Sequence, residues 1–482
     1  MNKHLKKTKI IATLGPASSD KETMTDLIRA GVDIFRINFS HADYDLVRQN
    51  VETIRQINEE MGTSVGILGD LQGPKLRIGA VKEGSYLNPG DILTFTNEKI
   101  DGDSKKVYMT YQEFPKDVKT GETILIDDGK LVLEVIETNE TDTVKAKTIQ
   151  GGPLSSKKGV NLPNTKVSLP ALTEKDIKDA NFMLDLELDW IALSFVRHAQ
   201  DIIDLKNLIK NHPKGKEFRT PIIAKIEKPE GVKNIDEILA ECDGLMVARG
   251  DLGVEIPMEQ VPAVQKNLVE RARFFSKPAI IATQMMETMI NSLTPTRAEV
   301  NDVANSVLDG ADAVMLSGET SIGRYPVEVV KNMAKIVDNI EKTDLYQNKN
   351  TSVEHEYNCI CERFITNRIC LAAVRIAKNT NVEAIITLTY SGYTAFQISA
   401  HRPNSHIIVY SSHRRVITML NLLWGVHAFF YDLEKSTDET IIEVNEITHK
   451  NGYVEKGDFV ININATPVNE NGKTNTLRLT NI

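Results

Sequence analysis

Short apolar runs rich in β-branched residues recur along the chain, each ending in a polar or charged cluster and each followed by amphipathic helical spacing. They are Lys9–Leu14, Val32–Ile37, Ser64–Leu68, Asp189–Leu193, Pro221–Ile226, Gly244–Val247, Pro278–Ala282 and Ala311–Leu316. Helix signals lie between most of them, for example Lys21–Ala30 behind Ser18-Ser19-Asp20, a start rich in capping side chains. Near-continuous apolar runs of this length predict strands covered on both faces, as in parallel sheets. Their number matches an α/β fold of the (β/α)8 barrel type. A doubly wound sheet is the competing arrangement, and the count favours the barrel.

One gap breaks the rhythm, between Asp70 and Asp189. Inside it, Gly79 to Ser168 is dense in Thr, Val, Lys, Gly and Asp, with alternating segments at Ile92–Thr96, Thr123–Ile126, Lys130–Ile136 and Thr143–Thr148. Turn signals at Asn88-Pro89-Gly90, Asp101-Gly102-Asp103 and Asp127-Asp128-Gly129 punctuate them. This predicts an all-β unit inserted after the third strand, where a barrel builds its sites, and so a hinged lid. Beyond the barrel, polar Asp338–Thr351 reads as a linker and Cys359–Lys378 as a helix. Strands are expected at Glu383–Leu388, His406–Tyr410, Val426–Tyr431, Asp458–Asn464 and Asn475–Leu479, making a second α/β unit. The expected partition is a barrel over 1–73 and 171–340, a β-rich lid over 74–170 and a C-terminal α/β unit over 341–482.

Composition narrows the function classes. With 482 residues, 41% hydrophobic and 26% charged, and with no apolar run long enough to span a bilayer, the chain reads as a folded protein. It does not read as disordered, collagen-like or integral to a membrane. A net charge of −9 argues against a protein that coats nucleic acid. The basic start Met1–Lys9 lacks a secretory apolar core behind it, so a cytoplasmic location is expected. Cys359, Cys361 and Cys370 with His355 nearby raise a zinc site, but their spacing fits no common zinc pattern and favours buried thiols.

Chemistry gathers at the expected strand ends. The second strand runs into Arg36-Ile37-Asn38-Phe39-Ser40-His41, where alternation puts Arg36, Asn38 and Ser40 on one face. The third ends in Asp70-Leu71-Gln72-Gly73-Pro74-Lys75-Leu76-Arg77, the fifth in Lys225-Ile226-Glu227, the sixth in Arg249-Gly250-Asp251 and the seventh in Thr283-Gln284. Each alone could be a solvated ion pair or a turn. Together on one rim they set carboxylates suited to a divalent cation (Glu227, Asp251 and, as a third candidate, Asp70) beside cations suited to phosphate (Arg36, Lys75, Arg77, Lys225). Asn471-Gly472-Lys473-Thr474 lacks the upstream glycine of a P-loop, so side chains and a metal must hold any phosphate.

Several long motifs then carry a family resemblance. Lys9–Ala17, Phe35–His41, Asp70–Arg77, Lys157–Pro163, Lys225–Gly231, Met246–Glu255, Ala282–Met289, Pro295–Asn305 and Asp312–Pro326 together resemble the pyruvate kinases along essentially the whole chain. The resemblance implies phosphoryl transfer from phosphoenolpyruvate to ADP, giving pyruvate and ATP, on a barrel with an inserted lid and a C-terminal allosteric unit. It implies that Glu227 and Asp251 bind Mg²⁺ or Mn²⁺ and that Lys225 neutralises the transferring group. Arg36, Lys225, Gly250, Asp251 and Thr283 would hold phosphoenolpyruvate, Thr283 also lying near the route of enolate protonation. Asn38, Ser40, His41, Arg77 and Lys158 would meet the nucleotide. The segment after Gly73-Pro74 departs from the K⁺-requiring members, which carry an acidic residue where Lys75 stands. It resembles the K⁺-independent branch, and the monovalent-cation region (Asn38, Ser40, Asp70, Leu71, Lys75) is expected to work without K⁺. Thr389, Ser391 and Thr394 resemble a phosphate loop for an allosteric effector, and a homotetramer is expected. A metal-dependent lyase or aldolase acting through pyruvate enolate would have no use for Lys158 or for both Arg36 and Arg77. A silent sugar-phosphate sensor could have lost Lys225, Glu227 or Asp251, and all three are present.

Overall fold

A computed structural model describes residues 6–351, 363–432, 436–466 and 474–482. Eight parallel strands close into a barrel in sequential order: β1 (Lys9–Thr13), β2 (Ile34–Asn38), β3 (Gly66–Asp70), β4 (Trp190–Leu193), β5 (Ile222–Ile226), β6 (Gly244–Ala248), β7 (Ala279–Ala282) and β8 (Ala313–Leu316). Most are buried along their full length, which explains their unbroken apolar character. Helices between them carry the expected stops. Asp20 caps Lys21–Ala30 by accepting the Thr23 N–H, and Gly31 ends it in the left-handed conformation.

Between β3 and β4 the chain builds a six-stranded sheet, in the spatial order Val160–Asn161, Thr123–Ile126, Leu131–Thr138, Thr143–Gln150, Ile92–Thr96, Lys106–Tyr108. It has its own apolar core, from Leu76 and Ile78 through Phe95 and Phe114 to Leu162, separate from that of the barrel. One helical turn, Phe114–Asp117, interrupts an otherwise all-β segment; its Phe114 packs edge-on against Phe95.

The C-terminal segment forms a five-stranded sheet from β9 (Ala384–Leu388), β10 (His406–Ser411), β11 (Val426–Phe430), β12 (Phe459–Asn464) and β13 (Thr476–Asn481). The order is β11-β10-β9-β12-β13, with only β13 antiparallel within this sheet. It packs under the N-terminal ends of the barrel strands so closely that a Cβ on Gly66 would lie 2.7 Å from the Thr418 carbonyl oxygen.

Two local expectations differ from the structure. The polar stretch Asp338–Thr351 read as a linker is largely helical: Pro326–Glu341, held by its buried Val329, Val330, Met333 and Val337, runs into it, and Asp344–Thr351 follows with Tyr346 buried. Strand β2 stops at Asn38, and Phe39–His41 turns as a 3₁₀ helix with the Asn38 side chain accepting the Ser40 N–H at 3.1 Å. Ser40 therefore leaves the strand's alternation. Of the cysteine cluster, Cys359, Cys361 and His355 lie outside the described residues. Cys370 is buried with its thiol pushed up to about 12 by burial.

Candidate active site

At the C-terminal rim of the barrel, register sets Asn38 beside Asp70 and Asp70 beside Ala192. Four side chains meet in this corner. The Arg36 guanidinium grips Asp70, with Nε donating to Oδ2 at 2.8 Å and Nη2 at 2.7 Å from the same oxygen, while Nη1 donates to Thr13 Oγ1 at 3.1 Å. Lys225 Nζ lies 3.1 Å from Asp70 Oδ1 and 3.0 Å from Glu227 Oε1, and donates to Ser194 Oγ at 2.6 Å. Ser194 passes its own hydrogen to the Leu71 carbonyl at 2.7 Å. The second Glu227 oxygen accepts the Phe195 N–H at 2.7 Å, a donor presented by the left-handed backbone of Phe195.

The electrostatics of this corner are uneven. Burial pushes Asp70 up, but Lys225 and Arg36 together overcome it and hold the carboxyl below its ordinary range. Glu227 has one cation instead of two and faces Asp251 and Asp70, so burial carries it up to about 7. Burial also opposes the charge of Lys225, yet Asp70 and Glu227 keep its ammonium above its ordinary value. Asp70 Oδ1 is buried and makes no hydrogen bond. The corner is thus short of positive charge beside Glu227.

A second group forms across β6 and β7. Thr283 and Gln284 both adopt left-handed backbone, at φ 67° and 54°, strained for a β-branched residue. That turn aims Thr283 Oγ1 to accept the Gly250 N–H at 2.7 Å while donating to the Ala282 carbonyl at 2.6 Å. Arg249 fixes the turn from behind, donating to the Thr283 carbonyl and clasping Asp302 with two nitrogens at 2.7 and 2.8 Å. Gly250 and Asp251 stand in the first turn of the short helix Arg249–Glu255.

The inserted β unit overhangs this rim. Its outgoing chain passes Gly73, at φ 70°, where a Cβ would lie 2.8 Å from the Phe195 ring. Asp176 ties both crossings of the chain, accepting the Gly73 N–H at 3.1 Å on one oxygen and the Thr173 N–H at 3.0 Å on the other. Lys75, exposed and without a carboxylate partner among the described residues, borders a cavity with Asp128, Phe195, Arg197, Lys228 and Asp251. Arg77 and Ser40 line a wider cleft with Gln72, Tyr108 and Lys157, and the Arg77 guanidinium donates to the Lys157 carbonyl at 3.2 Å. Lys158 is paired with Asp127 at 2.9 Å. Arg36 is thus bound into the Asp70 corner, whereas Arg77 lines the cleft. The side chain of His41 lies outside the described residues.

Far from the rim, Thr389 Oγ1 accepts the Gly392 N–H at 2.9 Å, and Thr394 is buried against Thr474 at 3.1 Å. Tyr390 and Ser391 are the exposed hydroxyl-bearing residues of that loop. The sequence reading overlooked Ser194, Phe195 and Thr13, the ends of β4 and β1. Their signal was available, since Ser194 follows an apolar run like every other reactive strand end.

Comparison with known proteins agrees with this geometry. Residues 5–330 match the family model described as pyruvate kinase, barrel domain, and residues 367–480 match pyruvate kinase, alpha/beta domain. The chain belongs to the pyruvate kinase family. It is 42% identical to pyruvate kinase 2 of Synechocystis over 98% of this chain and 79% of the relative. It is 39% identical to the pyruvate kinase of Mycobacterium intracellulare, covering 98% and 97%. A crystal structure of a pyruvate kinase from Cryptosporidium parvum superposes with TM-score 0.91 at 35% identity, covering 99% of this chain and 96% of that one. The chain is accordingly a phosphotransferase, acting on phosphoenolpyruvate and ADP to give pyruvate and ATP. Among the described residues no helix is long and apolar enough to cross a membrane.

Proposed function

We propose that the Arg36–Asp70–Lys225–Glu227 network carries the transfer, with Lys225 neutralising the phosphoryl group between phosphoenolpyruvate and ADP. The observation that supports this is a buried ammonium held charged, 3.0–3.1 Å from two carboxylates, in a corner still short of positive charge. A cation fixed before substrate arrives needs no reorganisation as charge develops, and in a water-poor site it acts strongly. Arg36 is held by Asp70 and Thr13 with its edge toward the same corner, and so suits the phosphate of phosphoenolpyruvate. The Gly250 N–H and Thr283 hydroxyl, which donate to Thr283 Oγ1 and the Ala282 carbonyl respectively, would turn to its carboxylate, with Asp251 beside them, and Thr283 offers a hydroxyl for moving a proton to the enolate carbon.

Glu227 and Asp251 are hard oxygen donors on neighbouring strand ends. The raised carboxyl of Glu227, with Asp251 facing it and Lys225 shared with Asp70, fits a corner that takes a divalent cation, Mg²⁺ or Mn²⁺. Among the described residues no cluster of three or more ligating side chains occurs, so substrate oxygens and water would complete the shell. When bound, the metal offsets charge and orients the groups in line.

The partition proposed is a barrel over 1–73 and 171–340, a lid over 74–170 and a C-terminal unit over 341–482. Lid residues Arg77 and Lys158, with Asn38, Ser40 and His41 on the rim, take the nucleotide, Lys158 leaving Asp127 for phosphate as the lid closes. Lys75 supplies from the chain the charge that K⁺ supplies in other members. The Thr389–Thr394 loop, through Ser391 and its backbone N–H groups, binds a phosphorylated effector. The protein works as a cytoplasmic homotetramer.

A coupled assay for ATP and pyruvate from phosphoenolpyruvate and ADP, run with Mg²⁺ and K⁺, tests the core reading, and the same assay in K⁺-free tetramethylammonium buffer tests K⁺ independence, which a fall to background would end. ATP-forming turnover is expected; a lyase or aldolase, or a silent sensor, would form no ATP in either buffer. Titrating fructose 1,6-bisphosphate, ribose 5-phosphate and AMP at low phosphoenolpyruvate tests the loop, and sedimentation tests the tetramer.

A further inference from the structure

Glu255 ends the helix that begins with Arg249-Gly250-Asp251, and its side chain is fully buried. Its Oε1 takes two donors from opposite directions. Lys228 Nζ reaches it at 2.7 Å from the barrel, just after Glu227 on the β5 end, and Asn161 Nδ2 reaches it at 2.8 Å from the lid. Oε2 makes no hydrogen bond. These three side chains form one wall of the cavity that Lys75, Arg197 and Asp251 also line. Asn161 belongs to the lid strand Val160–Asn161, three residues beyond Lys158.

We infer that Lys228 is a positioning residue: by charging the Glu255–Asn161 contact it latches the lid to the helix that presents Gly250 and Asp251, and so fixes where Lys158 stands over the nucleotide. A buried carboxylate with a lone amide donor is poorly satisfied, whereas an ammonium on the same oxygen makes the contact charge-assisted and strong. Because Glu255 and Asp251 occupy opposite ends of one short helix, lid position and substrate-side geometry are mechanically joined. Other lid contacts act at the hinge: Arg197 donates to the Val167 and Leu169 carbonyls, and Asp176 holds Gly73 and Thr173. The Asn161–Glu255 contact that Lys228 supports differs from these in coming from a strand of the lid's own sheet, across the cavity that Arg197 also lines.

The inference rests on the roles proposed for Lys158 and the lid, so its test has one arm that needs no activity. Lys228→Ala and Asn161→Ala should each raise KM for ADP about tenfold, with KM for phosphoenolpyruvate within about twofold, and Lys228→Arg should restore most of the loss. The double variant should be no worse than either single one, because both donors act through the same oxygen. In the unliganded protein, amide exchange over residues 158–162 should quicken at least about fivefold in both single variants. Unmoved KM for ADP, equal rises in both KM values, multiplied losses in the double variant, or unchanged exchange would each overturn the latch. Should Lys228→Ala not fold, Asn161→Ala carries the same readouts from the lid side. Quickened exchange in a chain without ATP-forming turnover would keep the latch and sink the reading of the activity.

Discussion

The barrel has charged networks at both ends, and they are built to opposite rules. At the floor, where the C-terminal sheet docks, Asp312 is saturated. Its oxygens take both terminal nitrogens of Arg402 at 2.9 and 2.8 Å, the Ala279 N–H at 2.9 Å and the Trp424 N–H at 3.3 Å. Arg402 donates again to the Gly310 carbonyl and lies over the Trp424 ring. Nearby, Lys9 donates to the Val426 carbonyl and the Trp190 indole to the Met419 carbonyl. At the rim, Glu227 and Asp70 share one lysine, whose Nζ lies 3.1 Å from Asp70 Oδ1 and 3.0 Å from Glu227 Oε1. The floor network, saturated at Asp312 although Arg402 Nε is buried without an acceptor among the described residues, ties the C-terminal unit to the barrel. The rim network leaves carboxylates in excess beside Glu227, a shortage of positive charge that a divalent cation would relieve and that an anionic substrate alone would deepen.

The sharpest way to break this contrast is to remove the central charge at each end. Lys225→Met should lower kcat by about 10³-fold or more while far-ultraviolet circular dichroism stays native, because the lost cation acts on the transferring group. A kcat within tenfold of the parent would show that the rim network is structural after all. At the floor, Arg402→Leu strands a buried carboxylate and should destabilise by about 3–5 kcal/mol in denaturant unfolding. The surviving folded fraction should keep its turnover at 25 °C. Lost turnover without lost stability would reverse the assignment of the two ends.

These two networks were unequally legible in the sequence. The rim announces itself because charged residues interrupt apolar runs at fixed places. Arg36, Asp70, Lys225 and Glu227 could be named from that pattern and the family motifs that contain them. Ser194 and the Phe195 N–H were missed because a serine after an apolar run carries no charge to mark it. The floor was nearly invisible. Arg402 and Asp312 lie 90 positions apart, and nothing local says that a residue after one helix will reach a residue before β8. The helix over Asp344–Thr351 was misread for a similar reason, its residues being polar while Tyr346 is anchored by the Trp424 indole at 2.8 Å. Element existence follows local periodicity, whereas domain docking follows contacts distant in sequence.

A smaller effect probes the floor through pH. Asp189 is buried beneath β4, accepting the Ile67 N–H at 2.7 Å and the Thr418 hydroxyl, and burial raises it to about 6. A carboxyl held above its ordinary value binds its proton more tightly in the folded state. Its contribution is therefore complete below the ordinary value of 3.8 and is lost as pH rises through about 6. Asp189→Asn can still accept the Ile67 N–H on its amide oxygen and, with the second bond reversed, donate its NH₂ to the Thr418 hydroxyl, without the charge. It should raise stability at pH 7.5 by up to about 3 kcal/mol and flatten the decline between pH 4 and 6. An undiminished decline would place the titrating group elsewhere.

The smallest expected effect tests how far the rim's shortage of charge is met by the chain itself. Lys75 follows Gly73-Pro74 at the lid's outgoing crossing, exposed, unpaired among the described residues and bordering the same cavity as Asp251. If its ammonium stands in for a monovalent ion, Lys75→Glu removes one positive charge and adds a carboxylate that can hold such an ion. Basal turnover in tetramethylammonium buffer should then fall about tenfold, and K⁺ should restore it severalfold, where the parent gains nothing from K⁺. Li⁺ and tetramethylammonium serve as controls, because a general ionic-strength response would appear with every salt. A parent enzyme that K⁺ already activates would mean that the rim borrows its missing charge from solution. The contrast with the self-sufficient floor would then be wider than the chain's own residues make it.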